Sequence, residues 1–132
     1  MDAHDQAVLD RHDEDADNDD FANALSTLAH DLTGAAARLL PALGTTDGQG
    51  DDVMVPAKFF APWGNWTWYA TEYDPSERLC FGLVDGNEVE LGYFSLDELA
   101  TVKGPFGLTI ERDLHWTAKP LREVRAKIDA RR

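Results

Sequence analysis

Apolar positions change their rhythm once along this chain. Phe21, Leu25, Leu28, Leu32, Ala36, Leu39 and Leu43 recur at spacings of three and four, one apolar stripe that predicts a helix over 21–43. Gly34 and Pro41 weaken that helix and favour two shorter pieces. After a linker over 44–52 with no periodicity, aromatic and β-branched residues take over. The run Trp66-Thr67-Trp68-Tyr69-Ala70-Thr71-Glu72-Tyr73 predicts a strand, and Arg78 to Val84 and Glu88 to Phe94 predict two more. Turns at Asp74-Pro75-Ser76-Glu77 and Asp85-Gly86-Asn87 join them into an antiparallel meander.

Ser95 caps a short helix, with Glu98 as its capping-box partner and Gly104-Pro105 as its stop. Leu108 to Thr117 predicts a fourth strand. Pro120 then opens a helix over 120–130, and Arg125, Lys127, Arg131 and Arg132 favour its C-terminal end. The expected fold is α+β: a small antiparallel sheet of about four strands, an N-terminal helix, a short helix after the third strand and a C-terminal helix.

Side-chain alternation also assigns faces. On the first strand Trp66, Trp68, Ala70, Glu72 and Asp74 share one face, and Thr67, Tyr69, Thr71 and Tyr73 share the other. Aromatics on both faces point to a strand buried on both sides. A base-stacking platform would interleave Lys and Arg, and this segment has neither, which argues against direct nucleic-acid binding. Gly82 and Gly92, inside strands, mark a bulge or a close backbone approach.

Composition adds a domain layout and an environment. The 132 residues suit one domain, and 43% hydrophobic content supplies a core. The net charge is −13, with 17 Asp against 8 Glu and 4 Lys against 8 Arg. Such an Asp-rich, Lys-poor balance suits a salt-rich, halophilic cytoplasm, where self-repulsion is screened within a few ångströms. The charge is uneven: residues 1–52 carry 13 acids and 2 bases, residues 53–132 carry 12 and 10. Residues 1–20 are acids and small residues with too little apolar area to offset ordering, and read as a disordered tail. Residues 13–20 have calcium-loop acid spacing but lack its central Gly and closing Glu. The single domain therefore runs over 21–132, its strand-rich body over 53–117. One cysteine, Cys80, excludes an internal disulfide and a cysteine-based zinc knuckle. No apolar run is long enough to span a membrane and the start is not a basic signal sequence, so a cytoplasmic location is expected.

Several ordered motifs resemble one family. They are Val55-Pro56-Ala57-Lys58-Phe59-Phe60-Ala61-Pro62-Trp63-Gly64, then Trp66 to Glu72, Phe81-Gly82-Leu83-Val84 and Glu90-Leu91-Gly92-Tyr93-Phe94-Ser95-Leu96-Asp97-Glu98-Leu99. Gly104-Pro105-Phe106-Gly107-Leu108, Ile110 to Trp116 and Lys119-Pro120-Leu121 follow in register. Over about residues 53–124 the chain resembles the family called domain of unknown function 2958. The resemblance implies company with plasmids, phages and other mobile elements, hence an accessory role. It implies no catalytic residue.

Two constellations are chemically suggestive. On the expected fourth strand Glu111, Asp113 and His115 fall at i, i+2 and i+4, one polar face able to hold a divalent metal or divide acid and base roles, with Glu72 or Glu90 as a further ligand. An ordinary solvated strand face explains the same pattern. Arg112, on the opposite face, wants a partner such as Glu72 or Glu90. Trp63, in a Pro-Trp-Gly turn, together with Trp66 and Trp68, offers aromatic anchors for a protein partner of host or element. No phosphate loop, dinucleotide fingerprint or nucleophile elbow occurs, and no cofactor is singled out. The leading expectation is a non-enzymatic interaction module. A small metal-dependent enzyme built on Glu111, Asp113 and His115, and an acidic DNA mimic acting on a DNA-binding or restriction protein, are the alternatives.

Overall fold

A computed structural model describes residues 31–132. The expected acidic tail, and the 21–30 part of the expected helix, lie outside the described residues. Helix α1 covers residues 31–39 of that description and stops before Pro41, whose ring and missing N–H prevent continuation. Its inward face is Leu32, Ala35 and Ala36, while Leu39, expected on the stripe, is turned outward. Short strands β1 (Met54–Val55) and β2 (Ala57–Phe60) precede the meander β3 (Thr67–Asp74), β4 (Leu79–Asp85) and β5 (Val89–Ser95). Then come α2 (Leu96–Thr101), β6 (Glu111–Arg112), β7 (Lys119–Pro120) and α3 (Leu121–Arg131).

The fold is α+β with antiparallel sheets, as the sequence implies. The strand count needs correcting: one sheet holds five strands in the order β5-β4-β3-β2-β6, and β1 pairs with β7 in a separate ribbon. Strand β2, hidden in the Val55–Pro62 run by two prolines, pairs Phe59 with Trp68 and so places β3 at the centre. The expected linker is also structured, with successive turns and a 3-10 turn at Gly50–Asp52.

The short helix begins as expected, with the Glu98 amide donating to Ser95 Oγ at 3.1 Å. The expected fourth strand does not run from Leu108 to Thr117. Only Glu111–Arg112 pair with β2, after which the Asp113 amide donates to the Lys58 carbonyl at 2.9 Å and the chain turns. Asp113 Oδ1 accepts the His115 amide at 2.9 Å, an Asx turn that reverses the backbone where alternation alone would continue it.

Strand β3 is buried on both faces and belongs to two cores. Trp68, Ala70 and Tyr73 pack with Leu32, Phe59, Cys80, Leu96, Leu99 and Ile110 under α1 and α2. Tyr69 packs with Val53, Val55, Leu83 and the α3 residues Leu121, Val124 and Ile128. Trp68 and Tyr73 lie in one core although five positions separate them, which strict alternation forbids. A bulge supplies the extra residue: Ala70 pairs with Gly82, but Glu72 pairs with Phe81. The face assignment from sequence therefore holds up to Ala70 and inverts beyond it. Gly82 sits opposite this bulge, where a Cβ would lie 2.0 Å from the Tyr69 carbonyl oxygen. Gly92 has nothing within 4 Å of its Cβ position, so close approach explains only the first of the two strand glycines.

Candidate functional site

The three tryptophans near the β2–β3 connection have different fates. Trp68 is core. Trp63 is half-buried and lies against Gly104, where a Cβ would meet its ring at 2.4 Å. Trp66 is the surface member, 42% exposed, seated on Gly86 in the same way and tilted against Trp68 at 5.9 Å. Its outer side helps line a cavity of about 330 Å³ along β5 with Val84, Glu88, Glu90, Leu91 and Tyr93.

Strand β5 is an edge, paired only with β4 among the described residues. Edges of this kind usually carry charge or irregularity that blocks further pairing. This one carries the charge of Glu90 but also presents Leu91 at 47% exposure and Tyr93 at 65%. Tyr93 stands edge-on to Phe81 at 5.0 Å, which fixes the ring without covering it. Beside the open backbone of β5, Trp66 is exposed on the sheet face of Trp68, Val84 and Glu90, and Leu91 and Tyr93 are exposed on the opposite face.

The expected acidic face is not assembled as a strand face. Glu111 is exposed opposite Phe60, and His115 is exposed in the turn. Asp113 lies between them but is engaged, with Lys58 Nζ at 3.5 Å and the His115 amide on its other oxygen. Neither further carboxylate comes near: Glu72 is on β3 with its own partners and Glu90 is on the far edge strand. Among the described residues no group of three potential ligands is placed to hold a metal ion. Arg112 borders a cavity with Asp31, Arg38 and Leu114, and meets neither Glu72 nor Glu90.

Two buried carboxylates have roles that sequence reasoning did not assign. Glu72, 4% exposed, accepts the Gly44 amide at 2.8 Å on one oxygen, and the Thr46 amide at 2.8 Å and hydroxyl on the other. Burial alone would raise this carboxyl, but the three hydrogen bonds outweigh it and hold its pKa below the ordinary glutamate value. The Tyr73 amide donates to the Pro41 carbonyl at 2.9 Å, so the strand end and the 41–46 segment are tied at two points. An acid in the most apolar strand was the available signal. Asp85, read from sequence as turn chemistry only, is equally buried and ion-paired to Arg131 and Arg132.

A family model described as "Protein of unknown function (DUF2958)" matches residues 30–129. The chain belongs to this family. The match starts well before the expected 53 and takes in α1, whose Leu32 and Ala36 close the first core of this DUF2958 domain. No curated protein and no solved structure matches the chain. The family description assigns no activity, so no catalytic role passes to any DUF2958 residue named above.

Proposed function

We propose that this DUF2958 protein is a non-enzymatic interaction module that captures an extended segment of a partner protein on β5. One observation carries this proposal: an edge strand that is open among the described residues, beside exposed Trp66, Leu91 and Tyr93. An added strand would gain main-chain hydrogen bonds from β5, and alternate side chains would fill the cavity along it. Glu88 and Glu90 flank that cavity, so the favoured partner segment alternates apolar residues with Lys or Arg. The wider setting belongs to the same proposal: an accessory role in a mobile genetic element, supported by the family resemblance, and a salt-rich cytoplasm, supported by the acidic composition.

Selection of random displayed peptides on the immobilised protein tests it. Enriched peptides should alternate apolar and basic residues, and the double variant Leu91→Lys, Tyr93→Lys should lose them without loss of melting temperature. Enrichment of peptides indifferent to these substitutions would place the docking surface elsewhere.

A further inference from the structure

A second surface stands apart from the β5 edge and concerns a different kind of ligand. The chain has only 4 lysines, and three of them, Lys58, Lys119 and Lys127, line one cleft between the sheet and α3. They come from three elements, β2, β7 and α3, and Arg131 of α3 joins them. The cleft has a volume of about 220 Å³, with Tyr69 and Trp116 among its walls.

Its charges are incompletely neutralised. Lys58 has Asp113 at 3.5 Å, and Arg131 shares Asp85 with Arg132. Lys119 and Lys127 have no carboxylate partner among the described residues. Lys119 Nζ lies 4.4 Å from the Trp116 ring centre and Lys58 Nζ 5.3 Å from the same centre, so one indole carries two ammonium groups. The indole is itself fixed, its Nε1 donating to the Val55 carbonyl at 2.8 Å, and Tyr69 tilts against it at 5.7 Å. Two of the four cations thus have an acid, and the other two stand beside a rigid aromatic floor without one, in a chain whose net charge is −13. Four cations gathered against two carboxylates leave a local positive excess, which favours an anion.

Three features narrow the anion. Lysine ammoniums bind phosphate oxygens as compact point charges, and Arg131 adds a guanidinium fork whose geometry also matches phosphate. The volume has room for roughly seven waters at about 30 Å³ each, enough for a phosphoryl or diphosphoryl group. A long polyanion would be opposed by the surrounding acidic chain. Next to the cleft, sharing Thr67 and Arg131, lies an open polar groove of about 800 Å³ with Asn65, Asn87 and Arg132, which can take the remainder of a small molecule.

We infer that the cleft of Lys58, Lys119, Lys127 and Arg131 over Trp116 binds the phosphoryl group of a small phosphorylated ligand.

Calorimetric titration of the full chain with inorganic pyrophosphate at modest ionic strength tests this. Saturable one-site binding is expected, with a shift of the Trp116 indole N–H resonance. Lys119→Gln and Lys127→Gln should each weaken it about tenfold or more, the loss of one charge-assisted contact. Arg78→Gln, a cation paired with Asp97 outside the cleft, should leave it unchanged. Absence of saturable binding, or equal weakening by Arg78→Gln, overturns the inference. So does a short oligothymidylate that binds ever tighter with length and is not displaced by pyrophosphate, since the face would then be a nucleic-acid strip.

Discussion

Glu72 shows how one side chain can be both conspicuous in sequence and unreadable from it. An acid inside an apolar strand demands partners, but nothing local says they are the amides of Gly44 and Thr46, 28 and 26 residues upstream. Replacing it by Gln leaves one acceptor oxygen and sets an NH2 donor against one of the two backbone N–H donors. We expect Glu72→Gln to cost about 1–3 kcal/mol in urea unfolding at neutral pH. The pH dependence has a definite sign. The folded pKa is lowered, so below the unfolded glutamate value of about 4.3 the unfolded chain takes up the proton first. The contribution is complete above that value and is lost as pH falls through the folded one. The acid limb of stability should therefore be shallower in Glu72→Gln; an unchanged slope would show that other carboxylates set it. Gly82 is a second residue-scale test. Ala there must push the Tyr69 carbonyl, backbone against backbone, and should cost about 3 kcal/mol in thermal unfolding. Ala at Gly92, with open space around it, should stay within about 0.5 kcal/mol.

Among elements, those with local causes were legible. The meander β3–β4–β5, the Ser95 cap and α3 after Pro120 follow from alternation, turn residues and capping, and all stand within a residue or two of expectation. What failed were elements whose cause is a distant strand. Strand β2 exists because Phe59 and its neighbours find β3, and β6 is short because Asp113 meets Lys58 and folds its own carboxylate onto the His115 amide. The bulge at Thr71 is equally silent in sequence, since Gly82 marks a close approach but not which strand carries the extra residue. For the expected site, the residue types were right for a polar turn and the geometry was not. Asp113→Ala should remove the turn and the Lys58 pair together, costing about 1 kcal/mol and reddening Trp116 fluorescence. Mn²⁺ should leave the melting temperature of the parent unchanged; a rise abolished by Asp113→Ala would restore the metal reading of Glu111, Asp113 and His115.

For the whole molecule, charge is arranged by sign. Arg122 and Arg125 pair with Asp52 and Asp51, Arg131 and Arg132 with Asp85, and three lysines gather in one cleft. The exposed pairs contribute little and weaken with salt, while screening relieves the repulsion of a −13 chain. The unfolding midpoint should accordingly hold or rise along a potassium chloride series, and a marked fall would mean the surface pairs dominate. Among the described residues the two cores lie on opposite faces of the sheet, and the solitary thiol sits in one of them. Cys80 is fully buried, and burial pushes its pKa up to about 12, so the folded protein should ignore thiol reagents at pH 8. It is directly opposite Tyr73, on the strand shared by both cores. Its side chain lies in the core covered by α1 and α2, so a reagent reaches it only when that layer lifts or the whole fold opens, and the trapping rate is a clock for undocking of the first core, with no engineered probe required.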